Sequence, residues 1–417
     1  MLRLIPRLDA NGWRLMAAKA FRGYAFGLNA VALGLYLAAL QLPAQEIGFI
    51  LAAALAGTLG LTAIIGIWGD RIGRRRLLVI GSALMLLSAV IPFVGASPIM
   101  LALIGLTGMV AVTSSESTGL QSVDQAALPQ TVSAQQRTSA FALYNLVAAA
   151  ASAVGAVSVG PMVSLGHAFG LEGASAYAPA FVAYALAGLA STILTLGLDA
   201  RVESGVPISP GFAIRRSRRT VALLSALFSL DALAGGFVVQ SYLAFWFAAR
   251  FGADPAAVGV LFAICNLLAA LSFPVAAWLA RRIGLIRTMV FTHIPANIFL
   301  IGTALAPALP VAVGLMLARA ALSSMDVPAR QSYTMAVVDP AERTATAGVT
   351  SLARSTGQVL GPALAAAFLI PIGIGAPLIA AGLLKTTYDL SLYALFRSRP
   401  TPEEAAEDAA ATTLSGA

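Results

Sequence analysis

Two acidic residues stand inside long apolar stretches of this sequence. Asp231 lies in "LFSLDALAGG" without an adjacent charge, and Glu116 lies in "TSSESTG" among serines and threonines. An acidic side chain at the centre of a membrane helix costs about 2.5–3.5 kcal/mol, so a chain keeps one mainly where it faces a cavity or a partner. We therefore expect Asp231 and Glu116 to exchange a proton. The alternative for each is a structural acid, bonded to an arginine or to nearby serines.

Basic residues lie in later apolar stretches. Arg319 is seven residues before Asp326, which places both on one helix face. Arg330 follows Asp326 at i+4, a spacing that permits a salt bridge. Arg354 lies in "SLARSTGQ". We expect Arg319 and Arg354 to bind an anionic group or to tune the acids, and snorkelling of Arg354 to the membrane surface is the alternative.

Neutral polar and aromatic residues extend the expected substrate cavity, although each could instead pack between helices. They are Asn29, Gln240, Asn145, Tyr36 and Trp246. Lys385 and Asp389 are one helical turn apart, so we expect them to neutralise each other as a structural pair.

The composition places the chain in a membrane. Of its 417 residues, 59% are hydrophobic and 11% are charged, whereas soluble domains average about 25% charged residues. Mean hydropathy is +0.86, and one membrane helix needs about 20 apolar residues. We predict an all-α membrane protein with twelve spans, at roughly 18–40, 46–68, 77–96, 99–122, 138–163, 177–198, 219–248, 256–279, 286–306, 309–330, 344–370 and 376–396.

Polar stretches divide the chain. The polar, arginine-ending segment 199–220 lies near the midpoint, which predicts six-helix bundles at 1–198 and 219–397, joined by a cytoplasmic linker at 199–218. Residues 398–417 are expected to form a disordered tail. Among the lysines and arginines that we place outside the spans, Arg250 alone falls in a loop on the far side. The positive-inside rule therefore predicts that both termini are cytoplasmic.

The two halves of the chain resemble each other. At a shift of 211 residues, Gly48 falls on Gly259, Gly73 on Gly284 and Asn29 on Gln240. At a shift of 206 residues, Gly155 falls on Gly361. Parallel internal repeats of this kind predict a substrate site at the repeat interface, near the bilayer midplane.

The distribution of charge, the few cysteines and histidines, and the absence of certain sequence motifs argue against several classes of protein. The net charge of +8 is distributed between the spans rather than in one patch, which argues against nucleic-acid binding. Cys265 is the single cysteine, and His167 and His293 are far apart, so we expect no disulfide and no metal site. We find no G-x-x-x-x-G-K-[ST] loop and no Ser-His-Asp set, so we expect neither an ATP-driven pump nor an enzyme, and no cofactor.

The stretch "GIWGDRIGRR" at 66–75 reads G-x-x-x-D-R-x-G-R-R between predicted spans two and three. It closely resembles the signature loop of the major facilitator superfamily. The degenerate second copy, "WLARRIGLIR", has Arg281 at the position of the acid. The resemblance implies a latch that holds the two halves together on the cytoplasmic side in one state. Its residues would be Gly66, Asp70, Arg71, Gly73, Arg74 and Arg75, and a purely topological role of the arginines is the alternative.

Gly-Pro motifs suggest hinges. Some proton-driven exporters of this superfamily carry such a motif on span five, where this chain has the partial "GAVSVGP". A cleaner "GQVLGP" lies on span eleven. Proline kinks a helix and glycine allows close packing, so the expected hinge residues are Gly160, Pro161, Gly357, Gly361 and Pro362.

The expected function is secondary active transport of a small organic molecule by alternating access, most readily its export in exchange for protons. Proton-coupled uptake of a small anionic metabolite is the main alternative, and the membrane arginines favour it. A lipid flippase and a sensor that does not transport are further alternatives. The expected partners are a small-molecule substrate, protons and membrane lipid, without nucleic acid. The chain is expected to be a monomer in a bacterial cytoplasmic (inner) membrane.

Reporter fusions test the predicted orientation. In a bacterial host, we expect alkaline phosphatase to be active when fused after residue 252, between spans seven and eight, and inactive when fused after residue 397. The reverse pattern of activities would contradict the positive-inside assignment.

Overall fold

The computed structural model describes residues 8–114, 119–133, 136–199, 202–203, 214–339 and 342–397. For residues 66, 67, 69, 70, 137–139, 343 and 344 it gives only the helix assignment. The α-helices of these ranges are α1 (Ala10–Ala39), α2 (Ala44–Ile72), α3 (Arg74–Leu84), α4 (Ile91–Val94), α5 (Pro98–Gly105), α6 (Gly119–Ala127), α7 (Arg137–Val157), α8 (Val159–Ala168), α9 (Ala178–Leu196), α10 (Arg218–Phe237), α11 (Gln240–Phe251), α12 (Pro255–Ile283), α13 (Leu285–Leu305), α14 (Leu309–Ser323), α15 (Asp326–Ala336), α16 (Arg343–Leu364) and α17 (Ala376–Phe396).

Short 3-10 and π segments extend these helices. They are Met85–Val90, Leu128–Thr131 and Gly173–Tyr177, with a π-helix at Ala365–Leu369. Local sequence explains several helix starts. The Asp9 carboxylate accepts the backbone N–H of Gly12 at the start of α1, and Asp254 accepts that of Ala256 at the start of α12.

The helices cross a membrane several times. In the described part of the chain, eight helical segments are long and apolar enough to do so. They are Ala44–Ile65, Arg74–Val94, Ala140–Ala168, Gly173–Leu196, Arg218–Phe251, Pro255–Ile283, Leu285–Leu305 and Leu309–Ala336. The all-α class is confirmed, and the count of twelve spans stays a prediction.

Several predicted spans are discontinuous, contrary to the expectation of single helices. Span seven is α10 and α11 with a break at 238–239, and span ten is α14 and α15 with a break at 324–325. Span four separates into α5 and α6, and 106–114 are not α-helical. Gly108 has φ +77°, and a Cβ there would lie 2.4 Å from the Gly57 carbonyl oxygen. This glycine thus lets the chain leave the helix and lie against α2.

Contacts between Cα atoms group the chain into two units. Unit 1 comprises Met1–Ile208, Val239–Leu267 and Pro362–Ile374, and unit 2 comprises Ser209–Val238, Leu268–Gly361 and Gly375–Ala417. Residues 239–267 and 362–374 thus pack with the first half. The predicted bundles at 1–198 and 219–397 with a linker at 199–218 stay a prediction. The tail at 398–417 lies outside the described residues.

Unit 1 contains a close helix crossing built on glycine. A Cβ on Gly155 of α7 would lie 2.0 Å from the Tyr24 carbonyl oxygen of α1. A Cβ on Gly27 of α1 would lie 2.0 Å from the Ser152 carbonyl oxygen of α7. Backbones approach this closely only where side chains are absent, as is common between membrane helices.

Unit 2 contains the corresponding crossing of α10 and α16. A Cβ on Gly361 would lie 2.5 Å from the Gly236 Cα, and one on Gly357 would lie 2.3 Å from the Ser229 carbonyl oxygen. Gly155 and Gly361 are also the pair that the repeat aligns. A second aligned pair, Gly73 and Gly284, precedes α3 and α13 with φ +92° and +87°. The internal repeat is therefore visible in both sequence and structure.

The predicted hinge residues lie at helix crossings and interruptions. Gly160 and Pro161 follow the interruption at Ser158 between α7 and α8, where Pro161 lacks the N–H that would continue the helix. Pro362 lies within α16, shortly before the π-helix. Gly357 and Gly361 are packing positions. Their role as hinges stays a prediction.

Exchange of a crossing glycine for alanine tests this packing. We expect Gly155→Ala to destabilise the protein by about 1–3 kcal/mol, because the added methyl group overlaps the backbone of α1. Thermal unfolding of the detergent-solubilised protein measures the effect. The control is Gly314→Ala on α14, where a Cβ would meet no atom within 4 Å. Equal melting temperatures for both variants and the wild type would contradict the tight crossing.

Candidate functional site

Asp231 lies in a buried ion cluster within unit 2. One carboxylate oxygen is 2.5 Å from Lys385 Nζ, and the other is 3.1 Å from Arg354 Nη1 and 3.4 Å from Arg330 Nη1. Helices α15, α16 and α17 each supply one of these cations to the acid of α10. The sequence shows Asp231 without a charged neighbour, so its three partners come from tertiary packing alone.

Arg330 joins a second acid to this cluster. Its Nη1 is 2.9 Å from Asp326 Oδ2, which confirms the predicted i+4 salt bridge. Its guanidinium also lies 5.6 Å from the centre of the Phe228 ring, within cation–π distance. The term "ion cluster" below denotes Asp231, Asp326, Arg330, Arg354 and Lys385. The Arg354 side chain is 32% exposed, against 9% for Arg330 and 11% for Lys385, so Arg354 is the most exposed of the three cations.

Lys385 and Asp389 do not form the structural pair that their spacing predicts. Lys385 bonds to Asp231, whereas Asp389 bonds to His293 Nδ1 at 3.0 Å and to Asn297 Nδ2 at 2.8 Å. Helix α17 packs against both α10 and α13, so Lys385 meets its partner on α10 and Asp389 meets its partner on α13. The i, i+4 spacing of two residues on one helix does not reveal such partners on neighbouring helices.

Unit 1 contains a second buried ion pair, which sequence reasoning missed. Arg22 and Asp124 are completely buried, and a guanidinium N–H donates to the Asp124 carboxylate. The Tyr144 hydroxyl donates to the same oxygen at 2.8 Å, and Arg22 also donates to Ser191 Oγ at 3.2 Å. Lys19 lies 4.7 Å from the centre of the Tyr144 ring. Lys19 and Arg22 both fall within predicted span one. Their i, i+3 spacing places them on one helix face, and this was the sequence feature that could have indicated a buried acidic partner.

The buried pairs Arg22–Asp124 and Arg330–Asp231 lie at positions that the internal repeat partly aligns, with the acid and the cation interchanged. At the shift of 206 residues that aligns Gly155 with Gly361, Asp124 falls on Arg330. In unit 1 the cation Arg22 lies on α1 and the acid Asp124 on α6, whereas in unit 2 the acid Asp231 lies on α10 and the cation Arg330 on α15. Each unit thus contains a buried ion pair between two of its helices, and the polarity of the pair is reversed between the units.

The non-helical stretch 106–114 of unit 1 is held by hydrogen bonds to its carbonyl groups. Backbone that leaves a helix at membrane depth is tolerated only where such partners exist or where a water-filled cavity is lined. Four carbonyl oxygens accept from other elements: Met109 from the Tyr184 hydroxyl, Ala111 from Asn29 Nδ2 at 2.8 Å, Val112 from the Ser241 N–H at 3.1 Å, and Ser114 from Ser152 Oγ at 3.1 Å. Predicted cavity residue Asn29 is therefore also a structural partner of this stretch.

Three predicted cavity residues have buried polar atoms without a partner among the described residues. These atoms are Asn29 Oδ1, Gln240 Nε2 and Trp246 Nε1, all in unit 1. Leaving a buried donor or acceptor unpaired costs about 1–3 kcal/mol. Such atoms are therefore positions where a bound molecule could supply the missing hydrogen bond.

The remaining predicted residues are placed differently. Tyr36 is buried, donates to the Ile91 carbonyl oxygen at 3.2 Å and packs edge-on against Phe181, so it acts in helix packing. Asn145 is exposed on α7, and Arg319 is half-buried on α14. Glu116 lies outside the described residues, so its predicted proton exchange remains a prediction.

The predicted latch residues form contacts within unit 1. The Glu203 carboxylate accepts the backbone N–H groups of Arg74 at 2.8 Å and Arg75 at 3.1 Å, which caps the start of α3 next to Gly73. Arg71 is exposed at the end of α2. The arginine side chains donate to carbonyl oxygens: Arg74 to Ala126 and Val202, and Arg75 to Leu196. For Gly66 and Asp70 only their place in α2 is described, so the latch itself stays a prediction.

A similar carboxylate clasp occurs in unit 2. Glu342 accepts the backbone N–H groups of Arg215, Arg216 and Ser217 at 2.6–2.9 Å. These hydrogen bonds, led by that of Arg215, lower the pKa of Glu342 to about 2. The segment before α10 is thereby fixed to the loop before α16 at neutral pH.

Comparison with known proteins identifies the fold and the family. The family model for the Major Facilitator Superfamily matches residues 15–362. The chain belongs to the Major Facilitator Superfamily. It is a multi-pass membrane transporter, as the resemblance of its loop at 66–75 implies.

One curated sequence and several solved structures are similar to this chain. The uncharacterized membrane protein YJR124C of Saccharomyces cerevisiae is 26% identical over 382 residues, which cover 84% of this chain and 85% of the relative. The nucleoside transporter NupG has a TM-score of 0.70 at 12% identity, with 93% of this chain and 100% of that chain covered. A D-xylose-proton symporter has a TM-score of 0.66 at 15% identity, with 91% and 97% covered. At such identities these structures establish the fold of a major facilitator and leave the substrate open.

Removal of one partner tests the buried pair of unit 1. We expect Asp124→Asn to destabilise the protein by about 3–5 kcal/mol, because it leaves the Arg22 charge buried without its carboxylate. The double variant Arg22→Met with Asp124→Leu should recover most of this loss. Thermal unfolding in detergent measures both, and the exposed acid variant Glu172→Gln is the control. A stable Asp124→Asn protein would show that the pair is dispensable for folding.

Proposed function

We propose that this transporter couples proton movement to the movement of a small organic anion, and that Asp231 exchanges the proton. The observation that supports this proposal most strongly is the ion cluster of unit 2. Its three cations, Arg330, Arg354 and Lys385, share the Asp231 carboxylate, and Arg354 is partly exposed. Carboxylate and phosphate groups are the usual ligands of guanidinium groups.

Asp231 acts in this proposal as an internal substitute for the substrate. In the empty transporter its carboxylate offsets part of the positive charge of the three cations. A proton on Asp231 removes that negative charge, and a carboxylate or phosphate of the substrate then takes its place. Because the proton and the anion favour the same state, each increases the affinity for the other. Such linkage predicts movement in the same direction, which is proton-coupled uptake when the gradient points inward.

Export in exchange for protons is the second candidate function. The partial Gly-Pro motif ending at Pro161 supports it, because Gly155 of that motif is a close packing position of α7. The three cations that surround Asp231 would repel a cationic compound, which argues against export of a cation. An exported substrate is therefore expected to be anionic or neutral.

Asn29, Gln240 and Trp246 of unit 1 stay predicted cavity residues. Each has a buried polar atom without a partner among the described residues, an acceptor on Asn29 and a donor on each of the other two. The Tyr36 hydroxyl already donates to the Ile91 carbonyl oxygen, so we do not propose it as a substrate contact. Arg319 remains a candidate anion contact.

Proteoliposomes of known orientation that contain a pH-sensitive dye test the function. An imposed proton gradient is challenged with benzoate, citrate and glucose 6-phosphate as organic anions, and with tetraphenylphosphonium as a lipophilic cation. Proton entry together with an anion supports the first candidate, and proton movement opposite to a compound supports the second. Absence of proton movement with every compound, while radiolabelled compound still exchanges, would overturn proton coupling.

Asp231→Asn separates coupling from binding. The amide resembles the protonated acid, so we expect exchange of labelled substrate across the membrane to persist while accumulation driven by a proton gradient falls at least tenfold. The control is Glu172→Gln, which lies on the exposed surface. Retention of gradient-driven accumulation by Asp231→Asn would exclude Asp231 as the proton carrier.

A further inference from the structure

Unit 2 contains another buried ionisable group, His293, which the proposed function leaves without a role. The residue lies on α13 and is 3% exposed. Its Nδ1 is 3.0 Å and 3.1 Å from the two carboxylate oxygens of Asp389, which is itself fully buried. Asn297 donates to the same carboxylate at 2.8 Å. The imidazole is therefore held in one orientation by a partner that is also fixed.

This arrangement determines where a proton can bind. Nδ1 faces a carboxylate, so the neutral ring carries its hydrogen on Nδ1 and donates it to Asp389. The lone pair of Nε2 then remains, and an added proton binds there. The His293–Asp389 hydrogen bond persists in both protonation states, so the ring can gain and lose a proton without a change of position.

The charges of the ion cluster and Asp389 balance one another, so the protonation state of His293 determines the net charge of the group. The ion cluster together with Asp389 contains three carboxylates and three cations. These charges balance when His293 is neutral, and one proton on His293 leaves the group with a net charge of +1. Histidine is the side chain that proteins commonly use for proton exchange near neutral pH.

The charged and titratable groups around His293 come from four helices. Helix α17 supplies Asp389, Lys385 and Tyr388, whose ring packs edge-on against the imidazole at 6.2 Å between centroids. Helix α10 supplies Asp231, which interacts electrostatically with His293. Helices α15 and α14, which also pack on α13, carry the remaining groups: Asp326, Arg330 and Arg319. A charge on the imidazole is therefore felt by the same residues that are proposed to hold the substrate anion.

We propose that His293, hydrogen-bonded to Asp389, is a second proton-binding site of this transporter and sets the pH range in which it binds its anion. The proposal rests on the proposed function, in which the cations of unit 2 bind an organic anion. A proton on His293 gives the ion cluster, Asp389 and His293 together a net charge of +1, and a bound monoanion restores neutrality. By reciprocity, bound anion must also favour the protonated imidazole.

Histidine NMR tests the site directly, without a substitution at His293. The chain has only two histidines, and His167 is exposed near the end of α8. In protein labelled with ¹⁵N-histidine, His167→Gln leaves the Nδ1 and Nε2 signals of one ring, that of His293. At constant pH, we expect the anion that the wild type moves in proteoliposomes to shift these signals from those of the neutral ring toward those of the imidazolium, as reciprocity requires. His293 signals that do not respond to the anion would overturn the proposal.

Transport as a function of pH provides the second measurement. Anion exchange in proteoliposomes without a proton gradient is recorded at pH 5.5 and 7.5. The anion used is the one among benzoate, citrate and glucose 6-phosphate that the wild type transports. We expect the apparent affinity for the anion to be severalfold higher at pH 5.5 than at pH 7.5 in the wild type and in His167→Gln. In His293→Gln, whose amide still donates to Asp389, the change should fall below twofold.

The two measurements separate this proposal from the proposed function. If wild-type liposomes move no protons with any compound, proton coupling fails, whatever the NMR spectra show. If the wild type couples protons and His293→Gln keeps the full pH dependence, the proposed function stands and the role of His293 is wrong. A response of the His293 signals to the anion, together with a flat pH response in His293→Gln, supports both.

Discussion

An ionised group within the bilayer needs a partner of opposite charge, and this requirement organises the interior of the protein. Asp231 meets three cations, Arg22 meets Asp124, and Asp389 meets His293. Leaving one member of such a pair alone costs several kcal/mol. Helices α10, α13, α15, α16 and α17 are therefore held in a register that brings these side chains together. The same pairs are the groups whose charge a proton or an anion would alter.

The backbone obeys the same rule. Where span four leaves the helix at 106–114, its carbonyl oxygens are bonded by Tyr184, Asn29, Ser241 and Ser152. Irregular backbone is costly in lipid and is tolerated where protein groups supply such hydrogen bonds. Asn29 is bonded to this stretch through one end of its amide, whereas the other end has no partner among the described residues.

The internal repeat explains why the two halves are similar in packing and different in charge. Gly155 and Gly361 take equivalent places at helix crossings, since close approach of backbones requires a missing side chain in both halves. Asp124 and Arg330 take equivalent places with opposite charge. Packing geometry thus constrains the type of residue at the crossings, whereas an ion pair tolerates either polarity. The half that carries three cations around one acid is the half in which we place proton exchange.

The sequence by itself determined the class of protein. Its hydropathy, the motif at 66–75 and the repeated glycines led to an all-α membrane protein of this superfamily, because length, apolarity and turn geometry are local properties of the chain. The i+4 bond of Asp326 and Arg330 was predictable for the same reason. Partners on other helices were decided only by the tertiary structure. The three cations of Asp231, the separation of Lys385 from Asp389, and the buried Arg22 depend on which helix faces meet, and hydrophobic periodicity carries no information about a partner a hundred residues away.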